Sequence, residues 1–318
     1  MAEPPLLILG VRRSGTTLLR VILDRGSQLA IPDESYFVPQ IADRHRGTVD
    51  VDRFVDDLRR LPTLREWGVD PEAVRARVTP GCGTGEAIAA VYETYAAERD
   101  KARWGDKTPM YMGHLPLLER LFPRARYVHL IRDGRDAALS FLAVPAGIMT
   151  EGWGHPRDAA GFACQWRTEV IAARALGRRI GAERYLEVRY EDLVADPEQA
   201  VRRICTFAGL SWEPTMLDYP GAVDVTAKPH QQSLRRAPTP GLRSWRDQMP
   251  AGDAAVFETI AGDLLARLGY EVTAGGAGPG TGGRLRLGAY RAKTAAWRGA
   301  GTAVRLSPMW RSRHPYLV

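Results

Sequence analysis

The sequence predicts an α/β fold of three layers, a parallel β-sheet flanked by helices. Three observations carry this reading. Leu6 to Leu9 is a short unbroken apolar run that empties into a Gly-rich turn. Arg126 to Ile131 is a second buried run that passes directly into a helical pattern. Further strand and helix signals alternate behind them, the order that builds a parallel sheet with helices on both faces.

Taken in chain order, Leu6 to Leu9 is a buried strand ending at Gly10, and Leu18, Leu19, Ile22 and Leu23 recur at helical spacing until Gly26 stops them. Asp52 to Arg60, Pro71 to Val78 and Gly85 to Arg99 read as helices, the last with Ile88, Val91, Tyr92 and Tyr95 on one stripe, and Gly113 to Phe122 as another. After the strand Arg126 to Ile131, Asp133 opens a helix to Phe141, with Asp136 three residues on as a carboxylate variant of the capping box. Ala159 to Arg179 is a long helix, Arg184 to Val188 a third strand, Pro197 to Ala208 a helix with Pro in its first turn, and Ala251 to Leu268 a closing helix. The domain plan is a body over residues 1–272, a Gly-rich linker over 273–283 and a basic tail over 284–318.

Among 318 residues, 45% are hydrophobic and 25% charged, which is the balance of a globular protein and excludes a disordered or fibrous chain. Neither a run long enough to span a membrane nor a signal-peptide pattern is present, and Cys82, Cys164 and Cys205 have no metal or disulfide spacing. The expectation is a cytoplasmic protein of a reducing compartment. The net charge of +7 sits in one place: from Val272 onward there is no acid, but there are seven arginines and Lys293. Removing those eight from the 44 basic residues leaves 36 against 37 acidic ones, so no nucleic-acid groove is expected across the body. Leu285, Leu287, Tyr290, Trp297, Leu306 and Trp310 alternate with these cations. The tail is open to three readings: peripheral contact with an anionic membrane, contact with a partner subunit, or disorder. Only Lys101, Lys107, Lys228 and Lys293 are lysines, an arginine bias read as a GC-rich, bacterial coding background.

Gly10-Val11-Arg12-Arg13-Ser14-Gly15-Thr16-Thr17 has the glycine spacing of a phosphate-binding loop between a strand and a helix N-terminus, where free N–H groups and the helix dipole favour an anion. A nucleoside-triphosphate loop needs Lys after its second glycine, and here that position is Thr16, with the positive charge moved earlier to Arg12 and Arg13. The loop is thus read as a site for a phosphate-like anion, against the plainer reading of a Gly-rich turn with solvated arginines. In Arg132-Asp133-Gly134-Arg135-Asp136-Ala137-Ala138-Leu139-Ser140, Arg132 and Ser140 could hold a second phosphate through guanidinium and hydroxyl, or Arg132 could pair with Asp136.

With two such anion sites the sequence resembles the sulfotransferases that use 3'-phosphoadenosine 5'-phosphosulfate (PAPS). Gly10 to Leu19 is similar to the family's 5'-phosphosulfate loop and Tyr127 to Phe141 to its 3'-phosphate motif. Arg-Ser-Gly-Thr-Thr-Leu in the loop, Arg-Asp-Gly-Arg after the strand, Asp106-Lys107-Thr108-Pro109 and Val188 to Leu193 point to the branch that includes the tyrosylprotein and many bacterial enzymes. The landmarks span residues 6–193, with weaker correspondence to about Trp245, and leave the tail uncovered.

The resemblance implies a P-loop-like sulfotransferase fold and assigns roles. Arg13, Ser14, Gly15, Thr16 and Thr17, with Arg12, would grip the 5'-phosphosulfate, and Arg132 and Ser140 the 3'-phosphate. Tyr190 stands where the family has a tyrosine near the donor. Glu34 falls where the related branch places its general base, with Asp33 the neighbouring alternative, and Lys107 matches a lysine near the transferring group. Lys228 to Arg236 and Gly241 to Arg246 resemble the segment folded over the nucleotide, which makes Ser233, Arg243 and Trp245 donor contacts. Arg13 and Lys107 suit charge stabilisation in an in-line displacement at sulfur, and Glu34 suits proton removal from an acceptor hydroxyl. The product would be 3',5'-adenosine bisphosphate, and no metal is expected. His129, between Val128 and Leu130, reads as a core histidine, and Trp153, Trp166 and Tyr36 as either acceptor-pocket or core aromatics. Two further readings stay open: a P-loop-type kinase of a small molecule, and a non-catalytic anion- or membrane-binding protein. The acceptor is not legible beyond a hydroxyl on a small molecule, glycan, lipid or tyrosine.

Overall fold

The computed structural model describes residues 3–144, 156–219, 244–273 and 279–306, with side chains of the last segment as far as residue 296. These residues form two compact units. The first comprises Met1–Gly10, Gly15–Ile131 and Ala172–Pro240, and the second Val11–Ser14, Arg132–Ile171 and Gly241–Val318.

The first unit holds a five-stranded, wholly parallel sheet: β1 (Leu6–Leu9), β2 (Leu29–Ala30), β3 (Arg103–Asp106), β4 (Arg126–Ile131) and β5 (Tyr185–Arg189), in the order β2-β3-β1-β4-β5. The fold class read from the sequence is the one observed. β1 is buried at all four positions and pairs with β3 on one side (Leu6 opposite Gly105) and β4 on the other (Leu9 opposite His129). All four of its residues are apolar, as suits a strand paired on both sides and covered by helices.

One apolar layer joins β1, β4 and Val188 of β5 to the Thr16–Asp24 and Pro197–Ala208 helices through Leu18, Leu19, Ile22, Val201, Ile204 and Cys205. An aromatic cluster forms another part of this core, where Trp104 stacks on Tyr92 with ring centroids 4.6 Å apart and Phe37, Trp67, Tyr95 and Phe122 pack around them. His129 is buried as expected. Its Nδ1 lies 2.6 Å from the Tyr185 hydroxyl, and burial pushes its pKa down to about 3, so it is neutral at physiological pH. Cys82, Cys164 and Cys205 are free and buried.

β2 and β3 have no strand signature. β3 reads Arg-Trp-Gly-Asp, yet all four residues are buried. Arg103 is satisfied by main-chain carbonyls: Nη1 donates to Ala208 and Gly209 at 2.8 and 3.1 Å, and Nη2 to Pro4 at 2.9 Å. The first two belong to the end of the Pro197–Ala208 helix, where orphan carbonyls and the negative dipole welcome a cation.

In the second unit, the Gly134–Leu142 helix starts from Asp133, whose carboxylate accepts the Arg135 N–H. Asp136, the partner expected in a capping box, accepts the Trp245 N–H at 2.7 Å. Arg135 is fully buried between Asp133 (2.7 Å) and Glu258 (2.6 Å), donates to the Glu271 carbonyl at 2.7 Å, and lies 3.7 Å from the centre of the Trp245 ring. Trp166, on the long Ala159–Ile180 helix, is a core residue: it is wholly buried near Phe257 and donates to the Arg132 carbonyl at 3.1 Å.

The linker is shorter than the glycines suggest, because a helix occupies Thr281–Leu306 and takes in Gly282 and Gly283. A Cβ on Gly283 would stand 2.4 Å from the Thr259 carbonyl oxygen, so the small residue permits close packing on the Ala251–Arg267 helix. Leu287, one turn on, is buried. Of the described tail, this stretch is therefore ordered against its own unit. No helix among the described residues is long and apolar enough to cross a membrane.

Candidate functional site

Each unit contributes its own constellation. In the second unit, Ser14 N–H donates to the Val11 carbonyl at 3.1 Å, which closes the phosphate-type turn, and Arg13 at its crest has φ 71°. Arg13 Nε donates to Ser140 Oγ at 3.0 Å, and Arg132 Nη1 donates to the Arg13 carbonyl at 3.2 Å. Two motifs more than a hundred residues apart thus meet: Ser140 is joined to Arg13, and Arg132 to the loop's main chain. Ser14 Oγ is buried with no hydrogen-bond partner among the described residues. A buried hydroxyl left this way costs about 1–3 kcal/mol, which an oxyanion at the turn would relieve. That observation fits the phosphate-bearing donor implied by the resemblance.

In the first unit, Gly15 precedes the Thr16–Asp24 helix with φ 89°, and a Cβ there would lie 2.3 Å from Tyr190 Cδ2. Tyr190 therefore presses on the loop, and both its ring and the positive φ oppose a Cβ at Gly15. No side chain caps this helix and no acid occupies its first turn, so the N–H groups near Thr16 and Thr17 suit an anion.

Lys107 follows β3 and is 1% exposed. Its Nζ lies 2.5 Å from Glu34 Oε1 and 3.2 Å from Thr17 Oγ1. Burial lowers its pKa, and the Glu34 charge opposes that shift. The other carboxylate oxygen of Glu34, Oε2, accepts the Tyr36 hydroxyl. Asp33 points to different work, pairing with Arg20 at 3.0 Å. Glu34 and Lys107 thus stand together as an ion pair with one oxygen facing a buried ammonium and the other a hydroxyl.

Beneath them is a polar network of residues to which the sequence reading assigns no role. Asp106 Oδ2 accepts from Ser35 Oγ (2.7 Å), Tyr92 (2.9 Å) and Thr108 (3.2 Å). Ser35 Oγ also lies 2.6 Å from the Tyr111 hydroxyl, which accepts the Val38 N–H, and Ser35 N–H donates to Thr108 Oγ1. Burial raises the Asp106 pKa to about 6 against these donors. Ser35 adjoins Glu34 and Asp106 adjoins Lys107, so the network fixes the Glu34 turn to the lysine-bearing strand end. The adjacent Asp in Asp106-Lys107-Thr108-Pro109 was the available signal.

Trp245 packs on Arg135 as described above, while Ser233, Arg243 and Trp153 lie outside the described residues. Among the described residues there is no cluster of His, Cys, Asp and Glu able to hold a metal ion.

A parallel sheet whose first strand leads through a positive turn to an acid-free helix start defines the P-loop-like class of α/β group-transfer enzymes. Within that class the chain belongs to the sulfotransferase family, whose model matches residues 4–214; a second model, described as a sulfotransferase domain, matches residues 178–269. It is an enzyme, a sulfotransferase similar to the tyrosylprotein branch. It is 28% identical over 279 residues to protein-tyrosine sulfotransferase 2 of Gallus gallus, covering 85% of this chain and 70% of that one. Against protein-tyrosine sulfotransferase A of Caenorhabditis elegans the identity is 26%, over 86% of this chain and 68% of the relative. Among solved structures, the sulfotransferase domain of the Synechococcus PCC 7002 olefin synthase is similar at a TM-score of 0.56 and 28% identity, covering 82% of this chain and 96% of that domain.

Proposed function

We propose that this sulfotransferase moves the sulfuryl group of PAPS to an acceptor hydroxyl by in-line displacement, with Glu34 as general base. The observation that carries the donor reading is the junction of Arg13 with Ser140 and Arg132, which unites the candidate 5'- and 3'-phosphate segments. When bound, the donor supplies the sulfuryl group and a 5'-phosphate leaving group. In the second unit, Arg12, Arg13 and Ser14 bind the 5'-end and Arg132 with Ser140 the 3'-phosphate, through forked guanidinium donors and hydroxyls. In the first unit, Gly15, Thr16 and Thr17 offer main-chain and hydroxyl donors, and Tyr190 holds the turn in shape. Lys107 and Arg13 stabilise charge gathering on the departing phosphate oxygen, the fixed-cation effect that acts best where water is excluded. Glu34, with Oε1 fixed by Lys107, presents Oε2 to the acceptor hydroxyl and takes its proton as attack proceeds.

Labelled sulfate transfer from PAPS, with calorimetry of 3',5'-adenosine bisphosphate against ADP, tests both halves. Preference for the bisphosphate, weakened in Arg13→Ala and kept in Glu34→Ala while that variant loses turnover, is expected. Equal affinity for ADP would refute the 3'-phosphate site.

A further inference from the structure

We propose that Tyr36 is itself an acceptor: with PAPS bound and no external hydroxyl present, the enzyme sulfates its own Tyr36. The inference rests on Glu34 being the base, and it names the phenol as the acceptor chemistry that the seat beside Glu34 receives.

Three observations bear on it. The Tyr36 hydroxyl donates to Glu34 Oε2, the carboxylate oxygen left over when Lys107 takes Oε1. A general base must lie within hydrogen-bond reach of the proton it removes, and this phenol meets that condition. The side chain is also accessible, with Tyr36 45% exposed while its neighbours Ser35 and Phe37 are buried.

The backbone supplies the third observation. Phe37 N–H donates to the Ser35 carbonyl at 2.6 Å, so Tyr36 forms the apex of a three-residue turn, with φ 54°. This left-handed conformation is rare for a bulky residue, and such strain persists only when the surroundings impose it. Here they do. Ser35 is tied to Asp106, Thr108 and Tyr111, and Val38 N–H to Tyr111, so both feet of the turn are anchored in the buried network. The strain is spent on presenting an aromatic hydroxyl and a carboxylate from positions 34 and 36 of one turn.

The step balances. The Tyr36 oxygen forms a bond to sulfur, the bond from sulfur to the 5'-phosphate oxygen breaks with its electron pair leaving on that phosphate, and the phenolic proton passes to Glu34. The products are a tyrosine O-sulfate and 3',5'-adenosine bisphosphate, with no change of oxidation state.

The test uses the full chain incubated with labelled PAPS and no added acceptor, followed by peptide mapping and mass spectrometry, with binding of 3',5'-adenosine bisphosphate measured in parallel. One sulfuryl group on Tyr36, none at that peptide in Tyr36→Phe, and labelling slowed at least about a hundredfold in Glu34→Gln, the usual scale of a lost general base, are expected. A wild-type chain that binds the bisphosphate but stays unlabelled at Tyr36, or carries the label on another tyrosine, overturns the inference. Undiminished labelling in Glu34→Gln overturns the base assignment, and failure to bind the bisphosphate overturns the donor reading beneath both.

Discussion

Replacing Asp106 by Asn should flatten one segment of the enzyme's stability profile. Asp106 is buried under the Glu34 turn, and burial holds its pKa at about 6 instead of 3.8. Between those two values the folded protein keeps a proton that the unfolded chain has released. Stability is therefore highest below the unfolded pKa and falls as pH rises toward 6, by about 1.4 kcal/mol per unit and about 3 kcal/mol in all. Above pH 6 both states are ionised and the contribution is constant. Asn keeps the shape and an acceptor oxygen for the hydroxyls of Ser35 and Tyr92 but cannot ionise. Urea melts of both proteins from pH 4 to pH 8 isolate this group, because the other titrating residues cancel in the difference. The wild type should lose stability relative to Asp106→Asn between about pH 4 and pH 6. Parallel curves would refute the assignment of a buried carboxylate with a raised pKa.

Two further outcomes follow from the geometry. Gly15→Ala should lose more than about 1 kcal/mol of stability and weaken 3',5'-adenosine bisphosphate binding, since φ 89° and the Tyr190 ring both oppose a Cβ; an unchanged melt and unchanged affinity would show that Tyr190 moves freely. Arg135→Met should destabilise by about 3–5 kcal/mol, because Glu258 and Asp133 lose a shared buried cation, read as a lower urea midpoint at constant slope.

The elements legible in the sequence were those whose burial is declared by local composition. β1, β4 and the Pro197–Ala208 helix appear at the expected residues because apolar runs or a first-turn proline mark them. β3 was hidden for the opposite reason: its Arg103 and Asp106 are buried through partners at Pro4, Ala208, Ser35 and Tyr92, and a sequence does not show which distant carbonyl or hydroxyl will meet a charge. β2, with two residues, is too short to carry a pattern. At Asp136 the spacing gave no sign of the tertiary contact that this carboxylate makes with Trp245. The glycines before Arg284 read as linker because composition cannot distinguish a glycine needed for freedom from one needed for close packing, as Gly283 is.

The site divides along the same line. The loop from Gly10 and the motif from Arg132 were visible as contiguous strings with a chemical purpose. The pairing of Glu34 with Lys107 came as two separate roles suggested by likeness, and only the folded chain shows them sharing a bond. The joining of Ser140 to Arg13 and the hydroxyl network around Asp106 are products of long-range assembly.

On the mechanism proposed above, the salt bridge between Lys107 and Glu34 would also act as a clock. While the carboxylate is ionised it masks the ammonium 2.5 Å away. Were Glu34 to accept the proton as proposed, that mask would go, and an electropositive centre would be released at the moment the departing group acquires its negative charge. Timing of this kind needs no moving part.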